Sequence, residues 1–428
     1  MFLYNRGYQK TIDGVKPHGV IINASSIYQP SLSRRDSTYS SLNILLFDPQ
    51  YYLSANLDRH TSQSTYLKLA TYPWFNQNPP EYNSDEIKLK DWKKQLPNNP
   101  SCIITYPEND TDIKCRIKRC LSFQDSMGCS HLIIPVPLAR TREEQFTEQL
   151  RWIKLGIEYK HTFTKPIIAT LPFSEKVLSE IAFENNDLSQ TILDYLPTIE
   201  ELDGYYIAIE KETETMHIAN TILARTLLEL CYNLSKYNKF VCINFVDIFG
   251  IVCLAAGATA FGGGYTSKEK RLFVEDFVDR TGGYQYPKFY SNILLGDFYS
   301  ERDLNKLVDL DLINYIYRDK TNYSASLIRA FKNRNTAKDV PEWEEKNNNV
   351  STATRHRIEN IVNLTNNIDS TNNLSTKLDF VYYYLEDAQA RMGNINYRNT
   401  GNDQLSENGD HINIWLHALK DFRAQNSL

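Results

Sequence analysis

No apolar run in the chain approaches the about 18 consecutive residues that cross a membrane, and the first residues, MFLYNRGYQKTIDG, lack the apolar core of an export signal. We therefore expect a cytoplasmic protein without membrane contact. An excess of positive charge is missing too, because 47 Lys and Arg residues oppose 52 Asp and Glu residues, for a net charge of -5. No global positive field attracts nucleic acid, although a local basic groove stays open as an alternative.

Several motifs that would assign a chemistry are absent from the sequence. The seven cysteines are odd in number and form no CxxC pair, which is typical of reduced thiols rather than of a disulfide framework. The eight histidines are scattered, without HExxH or His-x-His spacing, so the sequence predicts no metal site. A GxSxG elbow, a Walker loop and a dinucleotide fingerprint are also missing, and we expect no cofactor.

Between about residues 18 and 310, short apolar runs alternate with amphipathic helical patterns. Several of these runs are almost continuously apolar, as in parallel strands that are covered on both faces. The predicted strands are residues 19–24, 43–48, 131–138, 166–172, 205–210, 240–245, 258–263 and 289–295. This alternation predicts an α/β fold, namely a (β/α)8 TIM-type barrel, with a doubly wound open sheet as the alternative.

Two regions depart from the alternation. Residues 51–127 are too many for one crossover, and we interpret them as an insertion with some structure of its own. From residue 319 the pattern changes to helices that are separated by polar linkers such as EKNNN and NNIDSTNN. The sequence thus predicts a barrel over residues 1–318 and a helical extension over 319–428. The extension could form an appended domain, a partner surface or a clamp on the barrel.

The carboxyl ends of parallel strands meet on one face of a barrel, and three acidic residues end or follow predicted strands there. Asp48 comes directly after an apolar run and before Pro49, where it could act as a base, a nucleophile or a substrate acceptor, or simply start a turn. Glu210 ends the fifth predicted strand, and Asp247 follows the sixth, where it could instead cap a helix. We predict these three carboxylates as catalytic residues.

Neutral and basic groups near the same ends complete the predicted site. Three consecutive glycines lie at the end of the seventh predicted strand, where barrels often hold phosphate with backbone N–H groups, although a tight loop or hinge also explains them. The arginine pair in QPSLSRRD could bind an anion with fork geometry, or be solvated. The implied ligand is a nucleotide or sugar phosphate. The predicted ligand-binding residues are Arg34, Arg35, Gln50, Asn244, Gly262, Gly263, Gly264 and Lys268.

The order of these segments resembles the tRNA-guanine transglycosylase type of barrel. NILLFDPQYY resembles the family's early aspartate segment, DGYYIAIE resembles its glycine-rich strand that ends in glutamate, and FVCINFVDIFGIVCLAAGATAFGGG resembles the strand, helix and strand that follow. The resemblance implies that Asp48 binds a substrate base and that Glu210 matches the acidic strand end. Two features depart from the family: AFGGG has no carboxylate where the nucleophile is expected, and the zinc-binding cysteine cluster is absent.

Three functions stay open at this point. The first is an enzyme acting on a nucleobase, nucleotide or other phosphorylated small molecule, transglycosylase-like or hydrolytic, with Asp48 and Glu210 in the chemistry. The second is a noncatalytic subunit of a larger nucleic-acid-processing or defence complex, docked to a protein partner through its C-terminal helices, which include the tyrosine-rich VYYYLEDAQARM. The third is a sugar hydrolase, which needs two carboxylates about 5–9 Å apart.

Overall fold

The structure is a computed structural model. It describes residues 1–6, 14–32, 42–54, 63–181, 194–279, 285–346, 349–371, 373–399 and 404–428. Two predicted ligand-binding residues, Arg34 and Arg35, lie outside the described residues.

Eight parallel strands form one sheet that curls into a nearly closed barrel. The strands are β1 (Phe2–Arg6), β2 (Gly19–Asn23), β3 (Ile44–Asp48), β4 (Leu132–Ile134), β5 (Ile167–Ser174), β6 (Gly204–Glu210), β7 (Phe240–Asn244) and β8 (Ala260–Gly263). Their order is β3-β2-β1-β8-β7-β6-β5-β4. At the seam between β3 and β4, the backbone N–H of Ser130 donates to the carbonyl oxygen of Leu45 at 2.8 Å. The predicted TIM-type barrel is confirmed.

Helices cover the outside of the barrel. They are α1 (Ser64–Leu69), α2 (Leu89–Gln95), α3 (Asp110–Ser126), α4 (Leu150–Ile157), α5 (Glu175–Ile181), α6 (Thr221–Lys236), α7 (Gly250–Ala255), α8 (Ser267–Lys270), α9 (Arg302–Asp309), α10 (Ala325–Lys332), α11 (Val350–Asp369), α12 (Leu374–Arg398) and α13 (Asp410–Asn426). A helical turn (Arg142–Glu144) and a π-helical turn (Gln145–Gln149) lead into α4. Among the described helices, none is both long and apolar enough to cross a bilayer.

The wall of the barrel is apolar on both faces, because successive side chains of a strand point to opposite sides. Val20 and Ile22 of β2 face outward and belong to the large core beneath the helices, whereas Ile21 between them faces inward. The inward layer forms a second cluster of Leu3, Ile21, Ile44, Leu46, Ile133, Ile168, Tyr206, Cys242 and Ala260. Burial of both faces explains the continuous apolar runs in the sequence.

The prediction that residues 289–295 form a strand of the barrel is wrong. Strand β9 (Lys288–Ser291) pairs antiparallel with β10 (Gly296–Tyr299) in a separate two-stranded sheet. The barrel strand that the sequence interpretation missed is β1, which pairs in parallel with both β2 and β8. Its sequence, FLYNR, is short and mixes apolar with polar residues, so hydrophobic periodicity does not reveal it.

Helix α11 lies along the barrel wall beside β1. Toward its start, Arg357 binds Asp247 in the loop after β7. At its end, the carboxylate of Asp369 lies 3.5 Å from the amino group of Met1. The helix therefore occupies the place that the helix after the eighth strand has in an ordinary TIM barrel.

Helix α13 packs on α6 over the neighbouring part of the wall. The rings of Tyr232 and Phe422 meet edge to face, with their centres 5.6 Å apart. The indole N–H of Trp415 donates to the carbonyl oxygen of Ile218 at 2.9 Å. These contacts attach the end of the chain to the crossover between β6 and β7.

Gly204, the first residue of β6, has no room for a side chain, since a Cβ there would lie 2.0 Å from the carbonyl oxygen of Phe240 on β7. We expect Gly204→Ala to lower the free energy of unfolding by about 1–3 kcal/mol, because the paired backbones must shift. Gly393 in α12 is the matched control, since nothing lies within 4 Å of its Cβ position. There, alanine should stabilise the helix by up to about 1 kcal/mol. Urea unfolding measures both changes, and equal stabilities would contradict the prediction.

Candidate functional site

At the carboxyl ends of five of the barrel strands the inward positions are polar, in contrast to the apolar layer beneath them. The polar layer consists of Asn5, Asn23, Asp48, Thr170 and Asn244, and each of these residues is at most 2% exposed. Each follows an inward apolar residue of its own strand by two positions, so strand alternation places it inside the barrel. This end of a TIM barrel is where ligands bind.

Asp48 ends β3 and is completely buried. Its Oδ2 accepts hydrogen bonds from the hydroxyls of Tyr52, at 2.6 Å, and Tyr206, at 2.8 Å. Its Oδ1 accepts one from the backbone N–H of Gln50 at 3.0 Å. Burial raises the pKa of Asp48 to about 6, although these donors act in the opposite direction by stabilising the carboxylate. A carboxyl group that titrates near neutral pH is suited to acid–base chemistry.

A chain of hydrogen bonds connects Asp48 to the opposite strands. The amide nitrogen of Asn5 donates to the side-chain oxygen of Asn244 at 2.6 Å, and also to the carbonyl oxygen of Glu269 at 2.7 Å. The amide nitrogen of Asn244 in turn donates to the hydroxyl oxygen of Tyr206, which donates to Asp48. The chain therefore links β1, β7, β6 and β3 across the interior of the barrel.

Three buried polar atoms beside this chain have no hydrogen-bond partner among the described residues: Oδ1 of Asn5, Oδ1 of Asn23 and Nε2 of Gln50. The other amide atom of Gln50, Oε1, accepts from the backbone N–H of Ser25 at 2.7 Å. A buried polar group without a partner costs about 1–3 kcal/mol. Two acceptors and one donor at the ends of three adjacent strands are thus available to a ligand.

Backbone strain is found at the same end of the barrel. Gln50, directly after β3, has a φ of 51°, and Phe245 and Asp247, after β7, have φ values of 61° and 49°. Residues other than glycine rarely adopt this left-handed backbone conformation, and those that do cluster at functional sites.

Glu210 at the end of β6 forms an ion pair with Arg140, which follows β4. The guanidinium contacts the carboxylate with two nitrogens, at 2.7 Å from Nη2 and 3.1 Å from Nε. Such a two-pronged pair fixes both side chains. The charge of the second predicted catalytic residue is therefore compensated by an arginine.

Asp247, the third predicted catalytic residue, belongs to a buried ion network. Arg357 of α11 donates to Asp247 and to Asp297 of β10, in both cases at 2.5 Å, and Lys270 also contacts Asp297. Burial by itself would raise the pKa of Asp297, but the positive charges of Arg357 and Lys270 outweigh it and hold that pKa well below its usual range. The network connects the barrel, the β9–β10 hairpin and α11.

The glycine triplet makes room for polar side chains. A Cβ on Gly262 would lie 2.1 Å from Oδ1 of Asn244, and one on Gly264 would lie 2.3 Å from Cβ of Glu269. Gly263 lies between them, at the end of β8. The two backbone N–H groups after Gly264 donate to the carboxylate of Glu269 at 2.8 and 3.0 Å. An internal carboxylate therefore occupies the N–H groups that many barrels offer to phosphate.

Part of the predicted site comes together in the structure. Three predicted residues belong to the hydrogen-bonded group around Asp48, here called the Asp48 network: Asp48, Gln50 and Asn244. The ammonium of Lys268 lies 5.8 Å from the centre of the Phe277 ring. The sequence interpretation missed three members of the network: Asn5, Tyr52 and Tyr206. Tyr206 had a usable signal, because it precedes Glu210 by four positions on one strand and so faces the same side.

The strand order and register of this chain establish the barrel. No protein-family model, no curated protein and no solved structure matches this chain.

Proposed function

We propose that the protein is an enzyme that binds a nucleobase or nucleoside at the carboxyl end of its barrel and acts on it with Asp48 as the acid–base group. One observation carries this proposal: unpartnered neutral hydrogen-bonding atoms of Asn5, Asn23 and Gln50 lie in the same buried layer as a carboxyl group whose pKa is raised to about 6. Unpaired polar groups beside a carboxyl group with a shifted pKa are typical of an enzyme active site.

The distribution of charge favours an uncharged ligand group over a phosphate. Glu210 is paired with Arg140, and Asp247 is paired with Arg357, so these arginines already hold carboxylates. The unpartnered atoms are amide oxygens and an amide N–H instead. Nucleobases carry the matching N–H and C=O groups along one edge, and Asn and Gln side chains pair with such edges.

In this proposal Asp48 transfers a proton to the leaving base. In the hydrolysis of an N-glycosidic bond, water adds to the sugar carbon and the bonding electrons pass to the base nitrogen. That nitrogen takes the proton of Asp48, and the attacking water returns a proton to the carboxylate. Water as the nucleophile agrees with AFGGG, which offers no carboxylate at the place of the transglycosylase nucleophile. Tyr52 and Tyr206 hold the carboxyl group in place throughout.

A binding panel of free bases, nucleosides, nucleotides and sugar phosphates tests the proposal by thermal shift. A ligand present at 100 times its dissociation constant should stabilise the fold by about 2.7 kcal/mol. We expect bases or nucleosides to bind. Asn23→Leu should weaken their binding at least tenfold while the fold stays intact, because the side-chain oxygen that it removes has no hydrogen-bond partner among the described residues. Asp48→Asn should abolish release of the base, measured by chromatography.

Asn335→Leu is the control for the binding panel, since Asn335 is exposed and far from β2 in the chain. This variant should bind as the wild type does. The proposal fails if no base or nucleoside binds, or if Asn23→Leu and Asn335→Leu bind equally well. Binding of sugar phosphates alone would likewise contradict a base-directed site.

Docking through the C-terminal helices remains a second proposal. Helix α12 supports it, because Tyr383 and Tyr397 are 66% and 83% exposed. Tyrosine is enriched in protein interfaces relative to the rest of a protein surface. This surface lies on the outer helical layer and leaves the barrel mouth free for a ligand.

A further inference from the structure

Two histidines and a glutamate from distant parts of the chain meet outside the Asp48 network. His217 lies in the loop after β6, and Glu407 and His411 flank the start of α13. Gly409, with a φ of 80°, turns the chain between the latter two. One nitrogen or oxygen from each of the three side chains lies within 4.8 Å of the others. His217 and His411 are buried, and Glu407 is partly buried.

The contact between His217 and Glu407 has the spacing of two metal ligands. Nε2 of His217 lies 3.2 and 3.4 Å from the carboxylate oxygens of Glu407. A charge-assisted hydrogen bond is shorter, at about 2.7–2.9 Å. Two ligands of a tetrahedral zinc ion, each about 2.0–2.1 Å from the metal, are about 3.3 Å apart. The distances therefore fit a shared ion better than a tight ion pair.

His411 is oriented by a backbone carbonyl, as metal-bound histidines are. Its Nε2 lies 3.0 Å from the carbonyl oxygen of Leu295, so that nitrogen carries the proton and Nδ1 keeps its lone pair. Histidine ligands almost always donate their second ring N–H to such an acceptor. The contact therefore prepares the ring for coordination through Nδ1.

His217 has one ring nitrogen that forms no hydrogen bond within the described part of the chain. Its Nδ1 is buried without a hydrogen-bond partner among the described residues. The rings of His217 and His411 are stacked, with their centres 3.8 Å apart. Because a lone pair lies in the plane of its ring, one of the two rings must rotate for both to reach one ion, and the unpartnered Nδ1 of His217 has no hydrogen bond with a described residue to lose when it does.

We propose that His217, Glu407 and His411 bind a divalent transition-metal ion of the zinc type, with a fourth position open to water. Two imidazoles and one carboxylate form a recognised zinc donor set, and imidazole selects transition metals over magnesium and calcium. The ion joins the loop after β6 to the start of α13 and so fastens the C-terminal helices to the barrel. The sequence does not indicate this site, because its histidines lie far apart in the chain and form no metal-binding motif.

Titration of metal-free full-length protein with zinc chloride, followed by calorimetry and thermal unfolding, tests the site. We expect one equivalent of zinc to bind and to raise the melting temperature, and cobalt to give the visible absorption of a tetrahedral site. Magnesium should not bind, because it prefers oxygen ligands. Glu407→Gln and His411→Asn should each weaken zinc binding at least tenfold.

His417→Asn is the matched control, because His417 is an exposed histidine on the same helix as His411. It should bind zinc as the wild type does. Absence of zinc binding by the wild type overturns the proposal, as does equal binding by wild type, His411→Asn and Glu407→Gln. The conservative Glu407→Gln variant keeps the test valid if the histidine variant does not fold.

Discussion

Replacing Arg357 with leucine should lower the free energy of unfolding by about 3–5 kcal/mol, because removal of one partner leaves buried charge without compensation. Arg357 is 2% exposed and binds the carboxylates of Asp247 and Asp297, which are buried as well. Lys270 still faces Asp297 in the variant, but Asp247 loses the basic partner that the structure gives it. The loss should also loosen α11 from the barrel, since Arg357 attaches that helix to the loop after β7.

Urea unfolding followed by tryptophan fluorescence measures this loss. Arg151→Leu is the matched control, because Arg151 pairs with Asp110 on the surface with both side chains well exposed. Exposed ion pairs contribute at most about 1 kcal/mol. If the two variants lose equal stability, the buried network does not hold the barrel, the hairpin and α11 together.

The second large effect concerns the pH dependence of stability at Asp48. Burial raises the pKa of this carboxyl group from 3.8 to about 6 in the folded protein. Between about pH 4 and pH 6 the folded state therefore keeps a proton that the unfolded chain releases. The contribution of Asp48 to stability is highest below this window and falls as the pH rises through it, by about 3 kcal/mol.

Comparison with Asp48→Asn isolates this contribution, since other titrating groups act equally in both proteins. The free energy of unfolding of the variant, relative to wild type, should rise by about 3 kcal/mol between about pH 4 and about pH 7.5. In Tyr52→Phe the fall should be larger than in the wild type and extend to higher pH, because the variant lacks a donor that stabilises the carboxylate. Parallel curves for wild type and Asp48→Asn would show that Asp48 does not titrate in this range.

The sequence predicted the position of Asp48 but not its surroundings. The run NILLFD ends in a carboxylate, and strand alternation places that carboxylate inside a barrel at its carboxyl end. Tyr206 contributes a hydrogen bond from 158 residues further along the chain. No local pattern indicates that these two side chains meet, because their distance depends on how the sheet closes.

The dependence on tertiary contacts also explains why the sequence interpretation missed β1 and assigned residues 289–295 to the barrel. Residues 288–291 have the composition of a strand, and they form one, but composition does not state which strand pairs with them. FLYNR becomes a barrel strand because β2 and β8 provide partners on both sides. Strand pairing is a tertiary contact, and short runs receive much of their stability from it.

By itself the sequence determined the period and length of the elements, and thus the parallel barrel and the polar character of its strand ends. Only the tertiary structure decided which polar groups meet, such as Asp247 with Arg357, 110 positions apart, or His217 with His411. Apolar periodicity is a local property of the chain, whereas ion pairs and hydrogen bonds between distant residues arise only when the barrel has closed and the last helices have packed on it.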